Sequence, residues 1–253
     1  MSPPSDLILE ATDLGKSFRG FHAVKGVNLK VRRGTVHALI GPNGAGKTTC
    51  FNLLTRFLPV TSGRIVFNGR DITPLDAASV AKLGLVRSFQ ISAVFRQLSV
   101  LDNVRVALLA REGGSFAFWQ SARALDRFSA RAGELLESVG LTRWSGHTAA
   151  DLPYGRKRAL ELATTLALEP SLVLLDEPMA GLGHEDIGPV TQLIADVAKR
   201  CTVLMVEHNM KVVADLCDCI TVLQAGEVLA EGPYEQVSRD PRVLEAYVGG
   251  AHV

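Results

Sequence analysis

Two stretches of this sequence carry residue types that handle phosphate. The first is Gly41-Pro42-Asn43-Gly44-Ala45-Gly46-Lys47-Thr48, a complete G-x-x-x-x-G-K-[ST] phosphate loop. Its glycines let the backbone turn N–H groups inward on a polyphosphate. Lys47 adds a point charge at the β- and γ-phosphates, and the Thr48 hydroxyl can bind Mg²⁺. The second is Asp176-Glu177, adjacent carboxylates behind the apolar run Leu172-Val173-Leu174-Leu175. Asp176 is expected to hold Mg²⁺ opposite Thr48, directly or through water. Glu177 is expected to point differently, toward a water attacking the γ-phosphate. One carboxylate for metal and one for water predict phosphoryl hydrolysis. The bland alternatives are a Gly-rich connecting turn and an acidic strand end at the surface.

These residues need elements to position them. Val36–Ile40 reads as a buried strand leading into the loop, and Thr48–Leu54 as the helix leaving it. Leu172–Leu175 and Thr202–Val206 are continuous apolar runs, as in strands buried on both faces of a parallel sheet. The first ends in Asp176-Glu177-Pro178, the second in Glu207-His208-Asn209. Helical stretches near Glu185–Lys199 and Met210–Cys217 separate these strands as in β-α-β units. Leu7–Ala11, Val27–Val31 and Gly63–Phe67 read as strands of antiparallel ribbons, with a tight turn at Asn68-Gly69. From about Ile91 to Leu152 strand signals fade. Leu125, Phe128, Ala132, Leu135, Leu136 and Val139 recur with helical spacing, which predicts an inserted helical subdomain. Phe116, Phe118 and Trp119 fit a local core or a partner contact equally. A closing hairpin turns at Ala225-Gly226, and short helices run from Pro233 to Tyr247.

Composition limits the partners. The chain has 253 residues, enough for one large α/β domain, and a net charge of +1, which makes no electrostatic case for nucleic acid or anionic lipid. Cys50, Cys201, Cys217 and Cys219 show no C-x-x-C pair or zinc spacing and read as reduced, mostly buried thiols. The first residues lack the basic and apolar regions of a signal peptide. No apolar run approaches the roughly 18–20 residues that span a bilayer, so any work at a membrane is expected to go through partners.

Taken together, the motifs resemble the ATP-binding subunits of ABC transporters, over essentially the whole chain. Gly41–Thr48 matches the Walker A motif and Leu172–Glu177 matches Walker B. Gln90, in Arg87-Ser88-Phe89-Gln90, matches the glutamine that reaches the metal and senses the membrane subunits. Leu152-Pro153-Tyr154-Gly155-Arg156 occupies the signature position, His208 matches the switch histidine, and Phe18 matches the aromatic that stacks on adenine. The resemblance implies an α/β fold: a P-loop NTPase (RecA-like) core, an antiparallel β subdomain, and a helical subdomain over about residues 91–158 of a single 1–253 unit. It implies that ATP is held by Phe18, Gly41, Pro42, Asn43, Gly44, Ala45, Gly46, Lys47, Thr48, Thr49, Gln90 and His208. Mg²⁺ falls to Thr48, Gln90 and Asp176, and catalysis to Glu177, His208 and Lys47. Leu152, Pro153, Tyr154, Gly155 and Arg156 would complete the site of a partner subunit.

Two places depart from the family pattern. Pro153 and Arg156 replace the usual Ser and Gln of the signature, and Ala180-Gly181-Leu182-Gly183 lacks the usual Asp after Walker B. Together with Arg87–Gln90, Phe95–Val100, Glu207–Met210 and Glu245-Ala246-Tyr247-Val248-Gly249, these variants look like the ATPases of branched-chain (hydrophobic) amino acid importers. Gly113–Arg131 fits the longer helical insertion of one of that system's two ATPases. The implied partners are integral-membrane permeases, a second ATPase subunit of the same or another kind, and indirectly a periplasmic or extracellular substrate-binding protein; no nucleic acid is implied. The implied location is peripheral, on the cytoplasmic face of the inner (plasma) membrane. Urea or short-chain amide importers, lipopolysaccharide-export ATPases and non-transport ABC ATPases are the alternatives.

Overall fold

Leu7–Phe18 (β1) and Phe21–Arg32 (β2) form a long antiparallel hairpin. Arg19 and Gly20 turn it with positive φ of 47° and 91°, as a two-residue hairpin loop requires. The computed structural model describes residues 6–88, 94–112 and 125–248. Val36–Ile40 (β3) enters a second sheet, the phosphate loop follows, and Lys47–Leu54 (α1) leaves it. Ser62–Phe67 (β4) and Arg70–Asp71 (β5) return to the first sheet, which runs β2-β1-β4-β5. Asp76 caps Ala77–Lys82 (α2), accepting from the Ser79 N–H at 2.7 Å.

The second sheet adds Leu85–Ser88 (β6), Leu172–Asp176 (β7), Thr202–Val206 (β8), Cys219–Gln224 (β9) and Glu227–Gly232 (β10), in the order β10-β9-β3-β8-β7-β6. Every pairing is parallel except β9 with β10. The apolar runs are strands covered on both faces, and their alternation divides them between two cores. Leu172, Leu174, Leu204 and Val206 pack with α1 and the antiparallel sheet; Val173, Leu175, Val203 and Met205 pack with the helices of the opposite face. Each such side chain contributes roughly 1.5–3 kcal/mol through burial.

The expected helical section holds Val100–Arg111 (α3), Ser129–Ser138 (α4) and Tyr154–Leu166 (α5), the last running on past residue 158. Ser99 caps α3 through the Asp102 N–H at 3.0 Å. Phe128, Ala132, Leu135, Leu136 and Val139 are buried at the spacing the sequence predicts, against Val104 and Leu108 of α3. Phe116, Phe118 and Trp119 lie outside the described residues. His184–Ala198 (α6) and Met210–Leu216 (α7) connect the central strands, and Tyr234–Val237 (α8) and Pro241–Val248 (α9) close the chain. Adjacent parallel strands β3, β8 and β7 therefore deliver the phosphate loop, Glu207-His208 and Asp176-Glu177 to one edge of the sheet, the usual ligand edge of an open parallel sheet.

Candidate nucleotide-hydrolysis site

The phosphate loop is pressed against its surroundings. Gly41 sits at φ 147°, and a Cβ there would lie 2.1 Å from the Leu223 carbonyl oxygen on β9. Gly46, at φ 99°, precedes α1, and its Cβ would lie 2.6 Å from the Ala23 carbonyl oxygen on β2. Only glycine fits these two contacts. The Ala45 carbonyl accepts from the Gly226 N–H at 3.0 Å, and the Gly226 carbonyl accepts from the Lys25 N–H at 2.8 Å. One glycine in the β9–β10 turn thus joins the loop to β2.

What the loop presents suits a polyanion. The first turn of α1 has no side-chain cap and no acidic residue, so its N–H groups and helix dipole remain for a ligand. Gly44 faces open space, Asn43 and Thr48 are exposed, Pro42 and Thr49 are half-buried, and Ala45 is buried. Lys47 Nζ donates to the Gly41 and Pro42 carbonyls at 2.7 and 2.9 Å, folding the ammonium back along the loop. Burial pulls its pKa down, while the carboxylates of Glu177 and Asp176 pull it up. Lys47, Glu177 and Asp176 therefore share one electrostatic site.

Asp176 is largely buried and takes an ion pair from Arg87 at the end of β6. Arg87 also donates to Asn52 Oδ1 at 2.5 Å, and its guanidinium lies 5.9 Å from the Phe51 ring centre. Asn52 lies one helical turn beyond Thr48 on α1, so Arg87 ties the strand of Asp176 to the helix of Thr48. The sequence alone gives no role to Arg87, because its partnership with Asp176 depends on β6 lying beside β7. Among the described residues no group of three or more His, Cys, Asp or Glu could hold a metal alone. The Thr48 hydroxyl and the Asp176 carboxylate are oxygen donors of the kind Mg²⁺ takes, one or two from protein beside substrate phosphates.

Glu177 has φ 47°, a left-handed conformation that costs a non-glycine residue roughly 1–3 kcal/mol. Its N–H donates to the Val206 carbonyl at 2.9 Å. The strand thus breaks between the two carboxylates. His208 is exposed. Its N–H and that of Asn209 donate to Glu207 Oε2 at 2.8 and 2.9 Å. Phe18 is 42% exposed at the β1 hairpin end, with Lys16 Nζ 5.1 Å from its ring centre. A core role for it is therefore excluded. Gln90 lies outside the described residues.

The Leu152–Arg156 segment opens α5 with no side-chain cap and no acid in its first turn. Leu152 is buried, while Pro153 and Arg156 are exposed. The Tyr154 hydroxyl donates to the Ala180 carbonyl at 3.0 Å and accepts from Arg158 Nη2 at 3.2 Å. Tyr154 therefore links this segment to the turn after Glu177 in its own chain. The Cβ direction of Gly155 meets the Asp186 side chain of α6, so a substituent there would have to displace that carboxylate.

Comparison with known proteins places these elements. A family model described as ABC transporter matches residues 24–180. A second, described as branched-chain amino acid ATP-binding cassette transporter, matches residues 227–253. The chain is 39% identical to the high-affinity branched-chain amino acid transport ATP-binding protein BraF of Pseudomonas aeruginosa, over 96% of this chain and 98% of that protein. A crystal structure of a nucleotide-free ATP-binding cassette from an ABC transporter superposes with a TM-score of 0.84 at 28% identity, covering 95% of this chain and 98% of that one. A dimeric structure of a bacterial ABC transporter cassette superposes with a TM-score of 0.74 at 25% identity, covering 89% and 98%.

Proposed function

The chain belongs to the ABC transporter family of ATP-binding cassettes, and on that premise we propose that it is the ATP-hydrolysing subunit of an importer for branched-chain or other hydrophobic amino acids. The observation that carries the substrate class is the branched-chain match over residues 227–253, a stretch beyond the one matched by the general family model. The name of BraF points the same way, and favours this reading over urea or amide import, lipopolysaccharide export or a non-transport role.

In the proposed mechanism the loop amides and Lys47 hold the β- and γ-phosphates, and Phe18 stacks on adenine. Thr48, Asp176 and Gln90 would hold Mg²⁺, which supplies charge neutralisation to the phosphates when bound. Glu177 accepts the proton of the attacking water, and His208 stabilises the γ-phosphate during transfer. Cassettes of this family work as dimers with membrane permease components. Here Leu152–Arg156 is proposed to close the site of the second ATPase subunit, identical or different. Among the described residues no helix is long and apolar enough to cross a membrane. The proposed location, peripheral on the cytoplasmic face, follows from the permeases, and an external binding protein would deliver the substrate. The test is reconstitution with the neighbouring permeases and binding protein. Leucine, isoleucine or valine should stimulate ATP hydrolysis and enter the vesicles. Stimulation by urea alone would overturn the substrate assignment.

A further inference from the structure

We propose that Glu207 is a positioning residue that holds the Glu177 turn and the His208 segment in one fixed relation. Glu207 is 1% exposed at the end of β8. Its Oε1 accepts from the Met179 N–H at 3.0 Å, two residues beyond Glu177. Its Oε2 accepts from the N–H groups of His208 and Asn209 at 2.8 and 2.9 Å. One carboxylate is thus divided between two chain segments, one oxygen for each.

The surroundings make this a bridge between segments. β7 and β8 are paired through Asp176 and Val206, so their two exit turns leave side by side. The Glu177 N–H bonds to the Val206 carbonyl at 2.9 Å and fixes the first residue of one turn. Asn209 Oδ1 accepts from the Val212 N–H at 3.3 Å and starts α7, which fixes the far side of the other. Glu207 closes the gap between them. An ionised carboxylate accepts at both oxygens and donates at neither, so it alone suits three converging N–H groups. A neutral amide presents a donor to one side whichever way it turns.

The inference rests on the roles proposed above for Glu177 and His208, and its test separates the two. Glu207→Gln keeps the length and removes one acceptor. Glu207→Asp keeps the charge and loses one methylene of reach. Both are made in the full-length chain, and amide hydrogen exchange is followed in peptides spanning residues 177–182 and 206–210. Exchange should quicken by about tenfold or more in both segments at once. In the permease complex, kcat should fall by about 10- to 100-fold while KM for ATP stays within about threefold. On a Glu177→Gln background Glu207→Gln should cause no further loss of turnover. Should the Gln protein not fold, the Asp protein gives the same two-segment reading. Faster exchange in only one segment, or in neither, overturns the bridge, as does normal kcat with both segments loosened. Normal turnover of Glu177→Gln alone, with exchange responding as expected, would instead overturn the assignment of the base and leave the bridge standing.

Discussion

Gly155 faces the carboxylate of Asp186 in its own chain: a Cβ built on Gly155 would lie 2.6 Å from Asp186 Cγ. Asp186 is only half-buried and its carboxylate can swing aside, so Gly155→Ala should change stability by less than about 1 kcal/mol. Gly155→Asp should cost more, because two carboxylates would then meet. Asp186→Ala should recover most of the loss in the Gly155→Asp protein. Urea unfolding of the two single variants and the double variant measures this coupling; strictly additive changes would mean that the helix start finds its space elsewhere.

Glu177→Gln removes the base while keeping its shape. ATP binding should survive, and turnover should fall by about 10²–10⁴-fold. The left-handed φ of 47° supplies a control. Glu177→Gly should cost little or no stability, because glycine adopts that conformation without strain. A thermal midpoint near that of the unmodified chain, beside lost turnover, separates chemistry from unfolding.

Phe18 is exposed, and its ring meets Lys16 in a cation–π pair of roughly 0.5–1 kcal/mol. Phe18→Ala should leave stability nearly unchanged and weaken ATP binding by roughly 1–3 kcal/mol, while Tyr or Trp should largely preserve binding. Nucleotide titration of the three variants checks the order. Equal affinities would assign adenine to another partner.

His37 makes stability depend on pH. It is 1% exposed in β3, and burial pushes its pKa down to about 4 from an ordinary 6.5. Its Nε2 lies 2.8 Å from the Thr221 hydroxyl, which donates its own proton to Glu231 at 2.8 Å. Nε2 is therefore the protonated nitrogen of the neutral ring. The unfolded chain takes up a proton below pH 6.5 that the folded chain refuses until about pH 4. The contribution is thus complete above pH 6.5 and is lost across that window, about 3 kcal/mol in all. His37→Gln should be less stable at pH 7.5 yet lose less on acidification, as urea midpoints at pH 7.5 and 4.5 would record. Parallel pH profiles for the two proteins would exclude the buried imidazole as the cause.

The phosphate loop, its flanking strand and helix, and the Asp176-Glu177 strand end were legible in the sequence because each is local: glycine spacing, an apolar run and adjacent carboxylates lie within a few residues. The periodicity of residues 125–139 gave the α4 face for the same reason. Arg87 on Asp176, Glu207 on Met179 and Tyr154 on Ala180 were not legible. Each joins residues distant in sequence and needs the strand order β8-β7-β6 or the packing of α5 before it can form. Glu207 in particular reads as an ordinary polar strand end, because its three partners are backbone N–H groups that have no sequence signal.

The Gly226 junction also has a consequence for synthesis. The cradle written at residues 41–48 is braced by a residue that emerges roughly 180 residues later, and Gly226 holds Ala45 on one side and Lys25 on the other. At about 5–20 residues per second, the ribosome exposes the phosphate-binding sequence on the order of ten to forty seconds before its brace exists. A growing chain in that interval carries Gly41 without the β9 carbonyl it packs against and Ala45 without its Gly226 partner. The braced loop is therefore a property of the finished chain: the hydrogen bonds that join it to β2 form only once the β9–β10 turn has been made.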